Sequence, residues 1–346
     1  MLDTHPALGY TPGVSGCHFD DPKSRGIRQM NQRRRAVIDI GTNSVKLLVA
    51  DLEAAAVVPV VECSEQTRLG RGFYESQRLS ARAIADTARV VAGFAALARQ
   101  QGAVAVRVIA TSAAREARNA ADFLHAVWEA GGLKPEIISG HQEADWVFLG
   151  VMSDARVGAQ PVLILDVGGG STEFIVGEAR TPTFRQSLPL GSVRLFETSR
   201  LADPPGTTAL AVCLGGLGEI LAGRALPQLE AALRAFAPQP VHLVGTGGTA
   251  AILGAIELNL TQFDRERLEA TRLSRAQVRG LTERLWALPL AARRVLPGLP
   301  PERADVILTG AAIYTAVMER FGFPELRIST RGLRFGALLT MRRHEP

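Results

Sequence analysis

Twice this chain writes the same phrase: an apolar run ending in Asp, a glycine-bearing turn with a hydroxyl residue, and a second apolar run. The first copy runs from Arg35 through Asp39-Ile-Gly-Thr-Asn-Ser44 to Asp51, and the second from Val162 through Asp166-Val-Gly-Gly-Gly-Ser-Thr172 to Glu178. Each reads as strand, tight turn, strand. Glycine lets such a turn bring its backbone close to a ligand, and successive turn N–H groups converge into a concavity that favours anions. The Asp that ends the first strand is placed to hold a hydrated divalent cation, because Mg2+ takes few carboxylates and shares its other positions with water and phosphate oxygens. A lone Asp-x-Gly turn is more often a plain hairpin. Repeated with the same flanks, and facing its twin, it would make a polyphosphate clamp.

The rest of the chain alternates helices and strands, which predicts an α/β fold with chemistry at the strand ends. Ser80 is placed to cap a long helix carrying Ile84, Ala88, Val91 and Ala95 on one face, with Gly102 beyond its end. Glu136–Gly140 reads as a short strand and His141-Gln-Glu143 as the start of the next helix. A third glycine turn, Gly245-Thr-Gly-Gly-Thr249, lies between a predicted strand and a helix beginning at Ala250. There, exposed N–H groups and the helix dipole would both favour an anion.

At 346 residues the chain exceeds the usual single core, so two domains are expected. Aromatic residues make up 5% of it, which disfavours nucleic-acid binding by base stacking, and a net charge of +5 suits an anionic ligand as well as a nucleic acid. Cys17, Cys63 and Cys213 are far apart and odd in number, so reduced thiols in a cytoplasmic protein are expected. The best candidate for a membrane span, Ala209 to Leu226, is interrupted by Glu219 and Arg224, and none is expected. Residues 1–32 read as a disordered leader without a signal peptide. Trp128, Trp146 and Trp286 sit in helical patterns and are expected in the core.

Seven strings occur in an order that resembles the exopolyphosphatase/guanosine pentaphosphate phosphatase family. They are Asp39–Ser44, Ala110–Asn119, Ile138–Ala144, Asp166–Glu173, Leu190–Arg194, Gly245–Thr249 and Arg303-Ala-Asp305. The resemblance covers most of the chain and implies the short form of that family. It implies two ribonuclease-H-like domains of the actin-like ATPase type around a cleft: residues 33–157 with the C-terminal segment 328–346, and residues 158–327. It also implies hydrolysis of a terminal phosphoanhydride, releasing orthophosphate from inorganic polyphosphate or guanosine pentaphosphate.

On that resemblance Gly41, Thr42, Asn43 and Ser44, Gly168, Gly169, Gly170, Ser171 and Thr172, and Gly245, Thr246, Gly247 and Gly248 hold phosphates. Asp39 and Asp166 hold Mg2+ with Glu173 close by. Arg115 binds the terminal phosphoryl oxygens through its planar fork, and Glu143 orients and deprotonates the attacking water. No nucleic-acid or membrane partner is implied, and homodimerisation is left open. The chain departs from the family pattern at Asp145, where an arginine is usual, and at Phe335, where a polar residue is frequent and packing is the expected role. Two alternatives remain: an ATP-dependent kinase of the same superfamily, and a non-catalytic polyphosphate or alarmone binder.

Overall fold

The computed structural model describes residues 17–19, 33–53 and 56–341. The repeat in the sequence is a repeat in space. The first sheet contains β1 (Cys17–Phe19), β2 (Arg34–Ile40), β3 (Val45–Leu52), β4 (Val57–Glu65), β5 (Ala105–Ala110) and β6 (Glu136–Ile137), in the order β1-β4-β3-β2-β5-β6. The second contains β7 (Val162–Val167), β8 (Thr172–Glu178), β9 (Thr181–Leu188), β10 (His242–Thr246), β11 (Arg272–Ser274) and β12 (Glu325–Ile328), in the order β11-β12-β10-β7-β8-β9. In both, a three-stranded antiparallel meander is extended on its first strand by two parallel strands: β2-β3-β4 with β5 and β6, and β7-β8-β9 with β10 and β12. Parallel neighbours require crossovers, and the helices that supply them cover the sheet faces.

On the first sheet these are α1 (Ala81–Gln100), whose N-cap Ser80 side chain accepts from the Ala83 N–H, and α2 (Ala120–Gly131). Ile84, Ala88, Val91 and Ala95 are buried as their spacing predicts. The helix α3 (Gly140–Val151) then runs between the sheets. Over the second sheet lie α4 (Gly206–Ile220), α5 (Gly247–Glu257), α6 (Arg265–Ala270) and α7 (Ile307–Phe321). The last described helix, α8 (Leu333–Met341), returns to the first sheet and packs on α3, β2 and β3. An apolar core between the sheets unites Val37, Leu48, Trp146 and Phe148 with Ile164, Ile175, Val244 and Leu338. Phe335 is buried within it, a packing role as the sequence suggests.

The helices α3 and α8 cross at backbone contact. A Cβ on Gly336 would stand 1.7 Å from the Trp146 carbonyl oxygen, and one on Gly150 would stand 2.1 Å from that of Gly332. The helix α3 also packs on β8 and β9 of the second sheet, so it is the inner joint between the sheets, and the crossing locks it to α8 of the first lobe.

Several sequence expectations change here. Cys17 and Cys63 are not free thiols but a disulfide joining β1 to β4, because antiparallel register sets them opposite each other; Cys213 is free. Cys17–Phe19, inside the expected disordered leader, is therefore a strand, while most of residues 1–32 lies outside the described residues. Trp146 and Trp286 are buried, but Trp128 is 51% exposed on the outer side of α2. Gly245 and Thr246 belong to β10, paired with Leu165 and Asp166, and α5 begins at Gly247 instead of the expected Ala250, so the strand runs straight into the helix with no separate turn. One described window, Gly206–Gly223, has the length and apolar composition to cross a bilayer, with mean hydropathy 1.4. Leu210 and Leu217 of that helix are buried in the second-lobe core.

A Gly336→Ala substitution is expected to cost about 3 kcal/mol or more, because the new methyl overlaps a backbone carbonyl that cannot move without shifting α3. Thermal unfolding of the purified variant checks this: an unchanged midpoint would contradict the crossing geometry.

Candidate active site

The two repeated hairpins meet tip to tip. In each turn the first glycine N–H donates to the serine carbonyl that closes it, Gly41 to Ser44 and Gly168 to Ser171, both at 3.0 Å. Behind the first turn, the Arg68 and Gly70 N–H groups bond the Asn43 and Thr42 carbonyls at 2.9 and 2.7 Å, and Asn43 Nδ2 donates to Gln66 at 2.8 Å. Behind the second, the Ser192, Val193 and Arg194 N–H groups take up the Gly168 and Gly169 carbonyls, and Arg194 Nε donates to Gly170 O at 2.8 Å. The turns are close enough that a Cβ on Gly170 would stand 2.4 Å from Ser112 Oγ and 2.8 Å from Thr42 Oγ1.

Between them lies a cavity of about 370 Å³. Its wall includes Asp39, Gly41 to Ser44, Glu143, Asp166, Gly168 to Ser171, Glu173, Gly247 and Gly248. Most of the site residues expected from the sequence therefore share one space. Thr172, Gly245 and Thr246 do not line it: Thr172 is buried with its hydroxyl donating to Leu190 O, and the other two are strand residues of β10. Tyr314 from α7 props this floor, its hydroxyl donating to Leu165 O at 2.9 Å and Thr246 O at 3.1 Å. Arg115 stands behind Glu143 instead of on the wall, its Nη1 donating to Glu143 Oε2 at 3.0 Å and to Ile138 O at 2.9 Å.

The hairpin register explains the charges. Asp39 pairs across its hairpin with Lys46, and Asp166 pairs at the equivalent position with Glu173. The repeat thus places a cation on one side of the cavity and a third carboxylate on the other. Lys46 and Arg334 line the cavity, although the sequence reading did not single them out, and so does Arg303, which that reading placed in a family string without a role. The signal for Lys46 was present, since it occupies the Glu173 position of the first hairpin. Arg303 and Arg334 come from distant segments, and only the fold brings them in. A Cβ on Gly248 would lie 2.1 Å from Arg303 Nη2 and 3.8 Å from Lys46 Nζ. Gly247 has φ +81°, and its Cβ would meet Asp166 Oδ1 at 2.2 Å. Glycine is thus required where α5 begins against the carboxylate.

Burial dominates the electrostatics. It raises Asp39 above the usual range against the attraction of Lys46 and Arg334, and raises Asp166 to about 6, with Lys46 opposing and Asp39 adding. Glu173 is raised to about 7 by burial and then by Asp166, while Ser187, which donates to it at 2.7 Å, and Ser171 pull it down. Glu143 is raised well above normal by burial and by Glu173, with Arg115 opposing. Lys46 falls to about 8 through burial, Arg334 and Arg303. Among the described residues no group of three or more His, Cys, Asp or Glu side chains is arranged to hold a metal ion unaided.

Ion pairs close the rim. Arg194 Nη2 donates to both oxygens of Glu116 at 2.7 Å, and its guanidinium lies over the Tyr74 ring at 4.3 Å. Arg68 reaches Asp305 at 2.7 Å and Glu302 O at 2.9 Å. Asp145 pairs with Arg185 of β9 at 3.1 Å, tying the Glu143 helix to the second sheet.

Residues 48–345 match the model of the Ppx/GppA phosphatase family. The chain belongs to this family. It is 32% identical over 329 residues to Exopolyphosphatase 2 of Mycobacterium tuberculosis, covering 89% of this chain and 98% of that one. It is 29% identical over 311 residues to Exopolyphosphatase 1 of Mycobacterium leprae, covering 88% of each. Among solved structures, the Ppx/GppA family member of Aquifex aeolicus superposes with TM-score 0.73 at 29% identity, over 90% of this chain and 99% of that one. An exopolyphosphatase from Cytophaga hutchinsonii gives 0.80 at 25% identity, with the same coverage. The two-sheet architecture is the actin-like ATPase fold of Ppx/GppA proteins.

The raised carboxylates fix how ligand-free stability depends on pH. The folded state keeps the Glu173 proton up to about 7, whereas the unfolded chain loses it near 4.5. Between these values the folded state binds more protons, so stability is greatest below the window and falls as pH rises through it. Glu173→Gln is expected to raise the melting temperature at pH 7.5, in chelator and without ligand, by several degrees at about 2–4 °C per kcal/mol, and to flatten the decline from pH 5. Melting curves at both pH values check it; a lower midpoint for the variant at pH 7.5 would refute the burial argument.

Proposed function

We propose that this chain hydrolyses terminal phosphoanhydride bonds, releasing orthophosphate from inorganic polyphosphate, guanosine pentaphosphate or both. The observation that carries this reading is that Asp39 and Asp166, from two separate hairpins, open onto one cavity with the Glu143 carboxylate on its wall. The exopolyphosphatases among the relatives support the same chemistry.

Phosphoryl transfer needs positioning and charge neutralisation more than covalent help. The turn residues Gly41 to Ser44 and Gly168 to Ser171, with the start of α5 at Gly247 and Gly248, hold the phosphate oxygens. Glu143 takes a proton from water as its oxygen attacks the terminal phosphorus. Its raised proton affinity makes its ionised form a stronger base than an exposed carboxylate. The anhydride P–O bond breaks on the far side, and the departing chain carries its negative charge past Lys46, Arg303 and Arg334. Arg115 holds the Glu143 carboxylate from behind.

The donor set fits Mg2+, which needs only one or two carboxylates beside phosphate oxygens and water. Asp39 and Asp166 would hold it with Glu173 adjacent, and when bound it would neutralise charge on the bridging and terminal phosphate oxygens. One observation favours the nucleotide as a second substrate. The same cavity carries an apolar surface of Ala251, Ile252, Phe263, Pro300 and Leu333, suited to a nucleobase.

Glu143→Gln is expected to lower kcat by about 10²–10⁴-fold, the usual worth of a positioned general base, with KM little changed. Phosphate release from polyphosphate and guanosine pentaphosphate measures it, and wild-type turnover would remove Glu143 from its role. Dialysis against a chelator is expected to abolish release and Mg2+ to restore it. Full activity in chelator would exclude the metal.

A further inference from the structure

The strand β1 stands outside both repeated units, yet its residues reach the cleft. It pairs with β4 so that Cys17 faces Cys63, His18 faces Glu62 and Phe19 faces Val61. Cys63 and His18 both line the cavity. The exposed His18 ring lies against Phe263 of the second lobe, centroids 5.2 Å apart and planes at 33°. Phe263 sits under the Arg265 guanidinium at 5.5 Å, and Arg265 is ion-paired with Glu62, the residue opposite His18. Along this wall β1 bridges the lobes.

A ladder of three residues holds a strand poorly in water, so the Cys17–Cys63 bond decides whether β1 stays. We propose that this disulfide is a reversible latch on substrate length, an inference that rests on the hydrolase reading above. Oxidised, it pins β1, and His18 against Phe263 closes the cleft wall to phosphate chains too long to lie inside. Reduced, β1 leaves β4 and long chains thread through.

The exchange balances. Cys17 is partly exposed and Cys63 is buried in the first-lobe core, so an incoming thiolate attacks the Cys17 sulfur and Cys63 departs as thiolate. The second thiol of a dithiol reductant then displaces Cys17. The cystine gains two electrons and two protons, and the dithiol becomes a cyclic disulfide. Oxidised glutathione reverses the step.

The test uses the full chain equilibrated with oxidised glutathione or with dithiothreitol. Thiols are counted by alkylation and mass, and phosphate release is then measured on tripolyphosphate and on long-chain polyphosphate. The oxidised form should show one alkylatable thiol, Cys213, and the reduced form all three cysteines. Reduction should raise kcat/KM on long chains several-fold and leave tripolyphosphate unchanged. Cys17→Ser should show the reduced-state ratio in either buffer, and His18→Ala should show it with the disulfide intact. Three thiols after glutathione treatment, or a bond that forms without changing the long-to-short ratio, overturns the latch. If no chain length releases phosphate, the hydrolase reading fails separately. The latch is then judged by equilibrium binding of the same long chain: tighter binding to the reduced form supports it, and equal binding overturns it.

Discussion

Only partly compensated negative charge, held out of water in one place, is the constraint on which this structure turns. Asp39, Asp166, Glu143 and Glu173 converge on a single cavity, and each carries a proton affinity raised first by burial. Lys46 opposes them but is itself desolvated and crowded by Arg303 and Arg334. Carboxylates in such a position are costly unless a cation or proton joins them. A fold that maintains this arrangement has a site whose favourable state includes a ligand. The pairing of Asp39 with Lys46 and of Asp166 with Glu173 shows how a duplicated hairpin becomes a polarised site: one cross-strand position carries opposite charges in the two copies.

The lobes are brought together at two levels. Inside, α3 packs on β8 and β9 of the second sheet and is locked to α8 of the first lobe at Gly150 and Gly336, and the shared apolar core packs around them. At the rim, Arg194 with Glu116 and Arg68 with Asp305 join the lobes through partly exposed ion pairs. Exposed pairs of this kind contribute little individually and are screened by salt. The inner joint therefore fixes the geometry, and the rim pairs add little to it.

The repeated hairpin made the fold legible in the sequence, because its period-two pattern and turn residues are local signals. The turns at Gly41 and Gly168 lie where the sequence puts them; the helix carrying Glu143 begins at Gly140, inside the strand expected over Glu136–Gly140, which spans only Glu136–Ile137. The third expected turn is absent: Gly245 and Thr246 look like loop residues, but pairing with β7 holds them in a strand, and Gly247 to Thr249 already form the first turn of α5. Arg303 falls in a family string but its role could not be read there, and Arg334 carries no local mark of a site, since the position of both depends on contacts made far along the chain. The Cys17–Cys63 pairing was hidden for the same reason, being a matter of register between β1 and a strand well downstream. Trp128 fits a helical pattern but falls on the solvent side of α2.

The claim that one polyanion is gripped by both hairpins is tested most directly by calorimetric titration of a non-hydrolysable imidotriphosphate in Mg2+. The titration is run as a double-mutant cycle over Asp39→Asn and Asp166→Asn. The account predicts one site per chain, and a combined loss well short of the sum of the single losses, because both carboxylates serve the same ligand. Two independent sites, or losses that simply add, would contradict it.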